Sequence, residues 1–159
     1  DPRLAEYDAL LGERILAANA ALKETAADVT LRLGKIVVET PRKAGLGWVD
    51  ALAEYSSTSA DGTHQVRVPV YSLTINSDTV IWAAPLELFS EISLNIREAS
   101  PFANTFYFGL TNGSLLYLPT KAAFAEGGYE PNVSPFTDGA EADFTSAVTR
   151  YLRQLKNEL

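Results

Sequence analysis

The chain of 159 residues contains no cysteine, no methionine and a single histidine, His64. Without thiols it can form no disulfide and offer no thiolate to a metal. With one imidazole it cannot assemble a histidine-based zinc shell by itself. A complete translation product starts with methionine, so the absence of one leads us to expect a processed or partial chain, its signal peptide, if any, already removed. Basic residues are outnumbered, 13 against 20 acidic, for a net charge of −7, which argues against a nucleic-acid partner. No apolar run approaches the roughly 20 residues of a membrane helix, so no transmembrane segment is expected. The sequence also holds no nucleotide-binding loop, no serine elbow, no internal repeat and no low-complexity segment.

What is present suffices for a core. Hydrophobic residues make up 47% of the chain, and its length suits a single domain or part-domain. Asp1-Pro2 reads as an N-cap followed by proline at the first helical position. Leu4, Tyr7, Leu11, Ile15, Ala18 and Leu22 then recur at helical spacing, predicting a scaffold helix that packs on a sheet. Val29 to Thr40 reads as a strand in which Gly34 marks a bulge or a close approach. Pro41 to Ala60 reads as a connection with a short helix over Trp48 to Tyr55. Gln65 to Ile75 alternates Val66, Val68, Val70 and Ser72 against Arg67, Pro69 and Tyr71, and Asn76-Ser77-Asp78 turns it into Thr79 to Ala84, an antiparallel hairpin. Near the end, Asp138 to Glu141 has the spacing of a capping box. Phe144, Val148, Tyr151, Leu155 and Leu159 form a closing helical stripe, with Arg150, Arg153 and Lys156 toward its C-terminal end.

The stretch from Val80 to Pro135 carries polar residues that packing alone does not explain. An apolar strand stops at Pro85 and delivers Glu87 to the start of a helix, Leu88 to Ala99. Ser100-Pro101 ends that helix, and Thr105 to Leu110 reads as a second buried strand. Asn112-Gly113 is a turn that aims Tyr117, and Gly127-Gly128 is a corner where positive φ is sterically open. A strand-end carboxylate beside a loop phenol is where α/β proteins often place their chemistry. Read by themselves, Glu87 is a helix-start carboxylate complementing the dipole, and Tyr117 and Tyr129 are half-buried aromatics. His64 follows the Asp61-Gly62 turn at a strand start, where exposed polar residues are routine.

Several pieces recur here in order: Pro85-Leu86-Glu87, Ser100-Pro101-Phe102, Gly109 to Gly113, Tyr117-Leu118-Pro119-Thr120, Glu126 to Glu130 and Ser134-Pro135-Phe136. The run resembles the C-terminal part of the catalytic domain of the neutral/alkaline (non-lysosomal) ceramidase family. It departs from the family at Leu86, where the residue before the glutamate is usually small. The resemblance implies an α/β fold, a mixed β-sheet with flanking helices, forming the C-terminal portion of a larger domain. It implies a zinc-dependent hydrolase that cleaves the N-acyl bond of ceramide-like lipids with a metal-activated water and no covalent intermediate. It also implies a secreted, periplasmic or cell-surface location.

In such enzymes zinc is held by two histidines, a glutamate and a tyrosine. By resemblance Glu87 and Tyr117 are the metal-ligating glutamate and tyrosine, and Tyr129 is an active-site hydrogen-bond donor near the bound amide. The family's zinc histidines lie well upstream, so His64 is not among them. A divalent ion favours the phenolate over the phenol, whose ordinary pKa is near 10. A water-activating zinc needs three or four protein donors, and this chain offers two oxygens. The expectation is therefore a companion polypeptide, the N-terminal fragment of the same precursor, separated by cleavage before Asp1, that supplies the histidines and completes the sheet. The alternative is a non-catalytic structural or assembly module on the same fold, toward which Leu86 leans.

Overall fold

A computed structural model describes residues 2–23, 25, 27–45 and 50–159. Asp1 as an N-cap, and the Trp48–Val49 start of the expected short helix, lie outside the described residues. The rest of that helix is a single 3₁₀ segment, Asp50–Tyr55.

Four strands form the body of the sheet, in the order β1 (Leu31–Pro41), β3 (His64–Ile75), β4 (Thr79–Ala83) and β6 (Asn104–Phe108). β1, β3 and β4 are antiparallel, and β6 joins β4 in parallel, so the sheet is mixed. The short β2 (Ser56–Thr58) covers the start of β3. The hairpin expected from Gln65 to Ala84 forms, with Asn76 in the left-handed region at φ 54°. Its alternation is also realised, with Val66, Val68, Val70 and Ser72 all buried. Pro69 can sit inside a long strand because β2 ends at Val66 and β4 begins at Tyr71. Between them, among the described residues, that side of β3 has no partner strand to receive an N–H.

One face of the sheet is covered. The closing helix α5 (Ala140–Asn157) lays Phe144, Val148, Tyr151 and Leu152 over Val38, Val66, Val68, Val70 and Trp82, and α2 (Ser90–Ala99) adds Ile92 and Ile96. Thr40 Oγ1 donates to the Asp143 carboxylate at 2.7 Å, and Arg32 Nη1 donates to the Glu158 carbonyl at 3.0 Å, so α5 runs antiparallel to β1. Gly34 is a close approach and not a bulge. Its register opposite Ser72 is unbroken, and an added Cβ would collide with the Tyr151 hydroxyl and lie 2.9 Å from Ser72 Oγ.

Three expectations are corrected. The helix α1 (Pro2–Ala21) forms, but its apolar residues do not pack on the sheet: Leu4, Tyr7, Leu11 and Ile15 are all exposed. The strand β6 is an edge strand, not a buried one, and its Phe106 and Phe108 point outward into the open. No capping box closes α5. Gly139 at the cap makes no side-chain bond, and Glu141 instead accepts from the Lys121 backbone N–H at 2.6 Å.

Candidate functional site

Past β4 the chain forms two two-residue strands, β5 (Glu87–Leu88) and β7 (Tyr117–Leu118), paired in parallel. Glu87 therefore lies in a strand and not at a helix start, since α2 begins only at Ser90. Strand alternation sends Leu86 fully into the core and Glu87 to the surface.

The segment between β6 and β7 is laced to the one between β4 and α2. The N–H groups of Leu110, Thr111 and Leu115 donate to the carbonyls of Leu86 (3.3 Å), Ala84 (3.2 Å) and Pro85 (2.6 Å). In return Glu87 N–H reaches the Leu116 carbonyl at 2.9 Å and Phe89 N–H the Leu118 carbonyl at 3.2 Å. Leu110 and Leu116 take φ of 50° and 60°, a region bulky residues avoid, and the lacing holds them there. Gly113, at φ 149°, is required: a side chain would run into the Tyr55 hydroxyl. This network sets the register Glu87 opposite Tyr117.

Tyr117 lies opposite Glu87 in the parallel pair, and its phenol feels the Glu87 carboxylate. Desolvation, then the nearby Glu87 carboxylate, raise its pKa above the ordinary tyrosine range, with smaller contributions from Tyr129 and Glu130. The Tyr129 ring stands edge-on to Tyr117, centroids 6.1 Å apart at 74°. Tyr129 opens the short helix α4 (Tyr129–Val133), entered through Gly127 and Gly128 at φ 79° and 115°. Two braces hold this wall. Buried Ser134 donates its hydroxyl to the Tyr117 carbonyl at 2.9 Å. Lys43 Nζ donates to the carbonyls of Pro131 and Asn132 at 3.0 and 3.1 Å.

All three residues singled out from the sequence, Glu87, Tyr117 and Tyr129, thus meet at one place. Glu130 joins them, and the sequence marks it only as the neighbour of Tyr129. His64 does not stand out: it is exposed at the start of β3, its ring 3.3 Å from Thr58 Oγ1.

With this geometry the chain can be set against known proteins. No protein-family model and no curated protein matches it by sequence. Solved structures do. A neutral ceramidase from Pseudomonas aeruginosa superposes with a TM-score of 0.58 at 14% identity, over 89% of this chain and 30% of that one. A ceramidase complexed with C2 gives 0.60 at 13%, over 89% of this chain and 32% of that one. This is part of a ceramidase fold. The chain spans about a third of the ceramidases it matches, so the mixed sheet with flanking helices corresponds to a portion of the ceramidase architecture.

A carboxylate and a phenol side by side are hard oxygen donors suited to a divalent cation. Among the described residues no group of three or more His, Cys, Asp or Glu could hold a metal ion. Glu87 and Tyr117 are two such donors, too few to make a complete shell by themselves.

Proposed function

We propose that this chain contributes to a zinc-dependent amide hydrolase resembling neutral ceramidase, cleaving the N-acyl bond of ceramide-like lipids to a fatty acid and a sphingoid base. The observation supporting it is the pairing of Glu87 with Tyr117 across two short parallel strands, within the portion of the fold shared with ceramidases. In this reading Glu87 and Tyr117 are two donors of the shell. A companion polypeptide, the N-terminal fragment of the same precursor, supplies the histidines. Zinc bound there would provide positive charge that acidifies water and polarises an amide carbonyl. With zinc bound there, the ion's charge would favour the Tyr117 phenolate, its proton passing to solvent while Glu87 stays an ionised donor. Tyr129 is 67% exposed and borders the pair, free to donate to the amide oxygen. Secretion or display outside the cytoplasm would suit such a substrate. No described helix is long and apolar enough to cross a membrane.

A second reading, a non-catalytic structural or assembly module, draws on the incomplete donor set of the described residues. Metal analysis of natively purified protein separates the two. The hydrolase reading expects bound zinc, a companion polypeptide, and loss of metal in Glu87→Ala. It also expects Tyr129→Phe to keep its metal while turnover falls about 10²–10³-fold, the cost of one lost oxyanion donor. Equal metal loss in both variants would remove Tyr129 from its role. A folded, metal-free 17.2 kDa species without a companion would favour the module.

A further inference from the structure

The long edge strand β1 pairs with β3 on one side, and its other edge has no strand partner among the described residues. Beside that edge, between β1 and α5, lies a groove of about 570 Å³. An exposed edge of this length is a template for another strand. Its charges say which strand fits.

Along the outward face β1 carries Lys35, Val37 and Glu39, all exposed. In an antiparallel pairing of β1 with itself centred on Val37, each Lys35 lies opposite a Glu39, Ile36 opposite Val38, and Gly34 opposite Thr40. Opposite charges directly across an antiparallel pair are stabilising. Half-buried Ile36 gains cover from the second Val38. The pairing stops before Arg32 and Arg42, which the same register would set against each other.

The helix alongside has matching symmetry. Asp143 and Arg150 both line the groove and stand two turns apart, equally spaced about Ser146 and Ala147. Three points align α5 with β1: Thr40 on Asp143, Gly34 on Tyr151, and Arg32 on Glu158. They bring the centre of the helix beside Val37. A two-fold axis that sets Lys35 against Glu39 therefore also sets Asp143 toward Arg150. A surface in which residue i meets j and j meets i is the signature of an isologous interface. We infer that a second copy of this chain pairs at β1, extending the sheet across the two-fold with the α5 helices side by side.

Within the chain Glu39 already accepts from Arg67 at 3.1 Å, and Lys35 lies 5.0 Å from the Tyr71 ring. Both remain exposed, so the second copy adds a partner to each. The edge lies across the sheet from β4 and β6, beyond which Glu87 and Tyr117 pair. The interface thus leaves that site open, and the inference stands apart from the hydrolase reading.

The absence of cysteine provides a direct test. Directly opposed residues in antiparallel strands hold their Cα atoms about 4.5–5.5 Å apart, within reach of a disulfide. Under mild oxidation Val37→Cys should give a covalent dimer of twice 17.2 kDa. Leu33→Cys should not, although Leu33 is 86% exposed, because the two copies would lie roughly 27 Å apart along the ladder. In sedimentation the unmodified chain should dimerise. Lys35→Glu should weaken the dimer roughly tenfold, and Lys35→Glu with Glu39→Lys should restore it, circular dichroism confirming the fold of each variant. A monomer in sedimentation, equal cross-linking of both cysteine variants, or a dimer indifferent to Lys35→Glu would each overturn the inference.

Discussion

Two helices of similar length stand at opposite ends of this chain, 20 residues in α1 and 18 in α5, and their environments differ. In α5 Phe144, Val148 and Leu152 are completely buried; in α1 even Leu11 is 46% exposed. Both show apolar residues at helical spacing. At about 100° per residue, Phe144, Val148, Tyr151, Leu152 and Leu155 fall within an arc of about 100°, one clean stripe. In α1 Leu10 and Leu16 lie about 120° to either side of the main stripe, so no single contact can cover them all. Apolar spacing specifies a helix; burial also requires an opposing surface. The valines and Trp82 of the covered sheet face provide one for α5.

The strongest way to break this contrast is truncation at its two ends. Phe144→Ala should cost about 3–5 kcal/mol of stability in urea unfolding. Leu11→Ala should stay within about 0.5 kcal/mol. A large loss at Leu11 would mean that α1 has a packing partner after all. Next in size is the seam between α5 and β1. Gly34→Ala forces a methyl against the Tyr151 hydroxyl and should cost about 1–3 kcal/mol. Tyr151→Phe should make the second change cheaper, and strict additivity would place the clash elsewhere. Thr40→Val, which strips the hydroxyl from Asp143, should cost about 1 kcal/mol.

The smallest effect is a slope. Tyr107 sits in the covered side of the sheet, its hydroxyl donating to the Leu86 carbonyl at 2.8 Å, and burial raises its pKa well above the ordinary 10.0. The folded protein keeps this proton when the unfolded chain has lost it. The contribution is therefore present below pH 10 and is lost as pH rises through the alkaline range above it. Chemical unfolding measured from pH 9 to 11 should show stability falling, and Tyr107→Phe should flatten the fall. An unchanged slope would assign the alkaline loss to other groups.

The hairpin of β3 and β4 and the stripe of α5 were legible because their signals are local. Alternation and a turn lie within a few residues of each other. The grouping of Glu87, Tyr117 and Tyr129 was legible only through the resemblance to ceramidases; by position alone they read as a helix-start carboxylate and two ordinary aromatics. Glu87 was misplaced because β5 is two residues long, and no periodicity can announce a strand that short. Its existence depends on β7, thirty positions further on. The capping box at Glu141 failed for a related reason: the carboxylate found the N–H of Lys121, a competitor distant in sequence.

By itself the sequence determined where the long strands and helices lie and, for β3, which side chains share a face. Local sterics and periodicity decide these within a few residues. Only the tertiary structure decided which faces are covered, why Gly34 must lack a side chain, and that the Glu87 carboxylate meets the Tyr117 phenol. Each of these depends on groups far apart in the chain arriving at one point. That arrival is set by the register of paired strands and by backbone bonds that hold Leu110 and Leu116 in conformations they would not adopt alone.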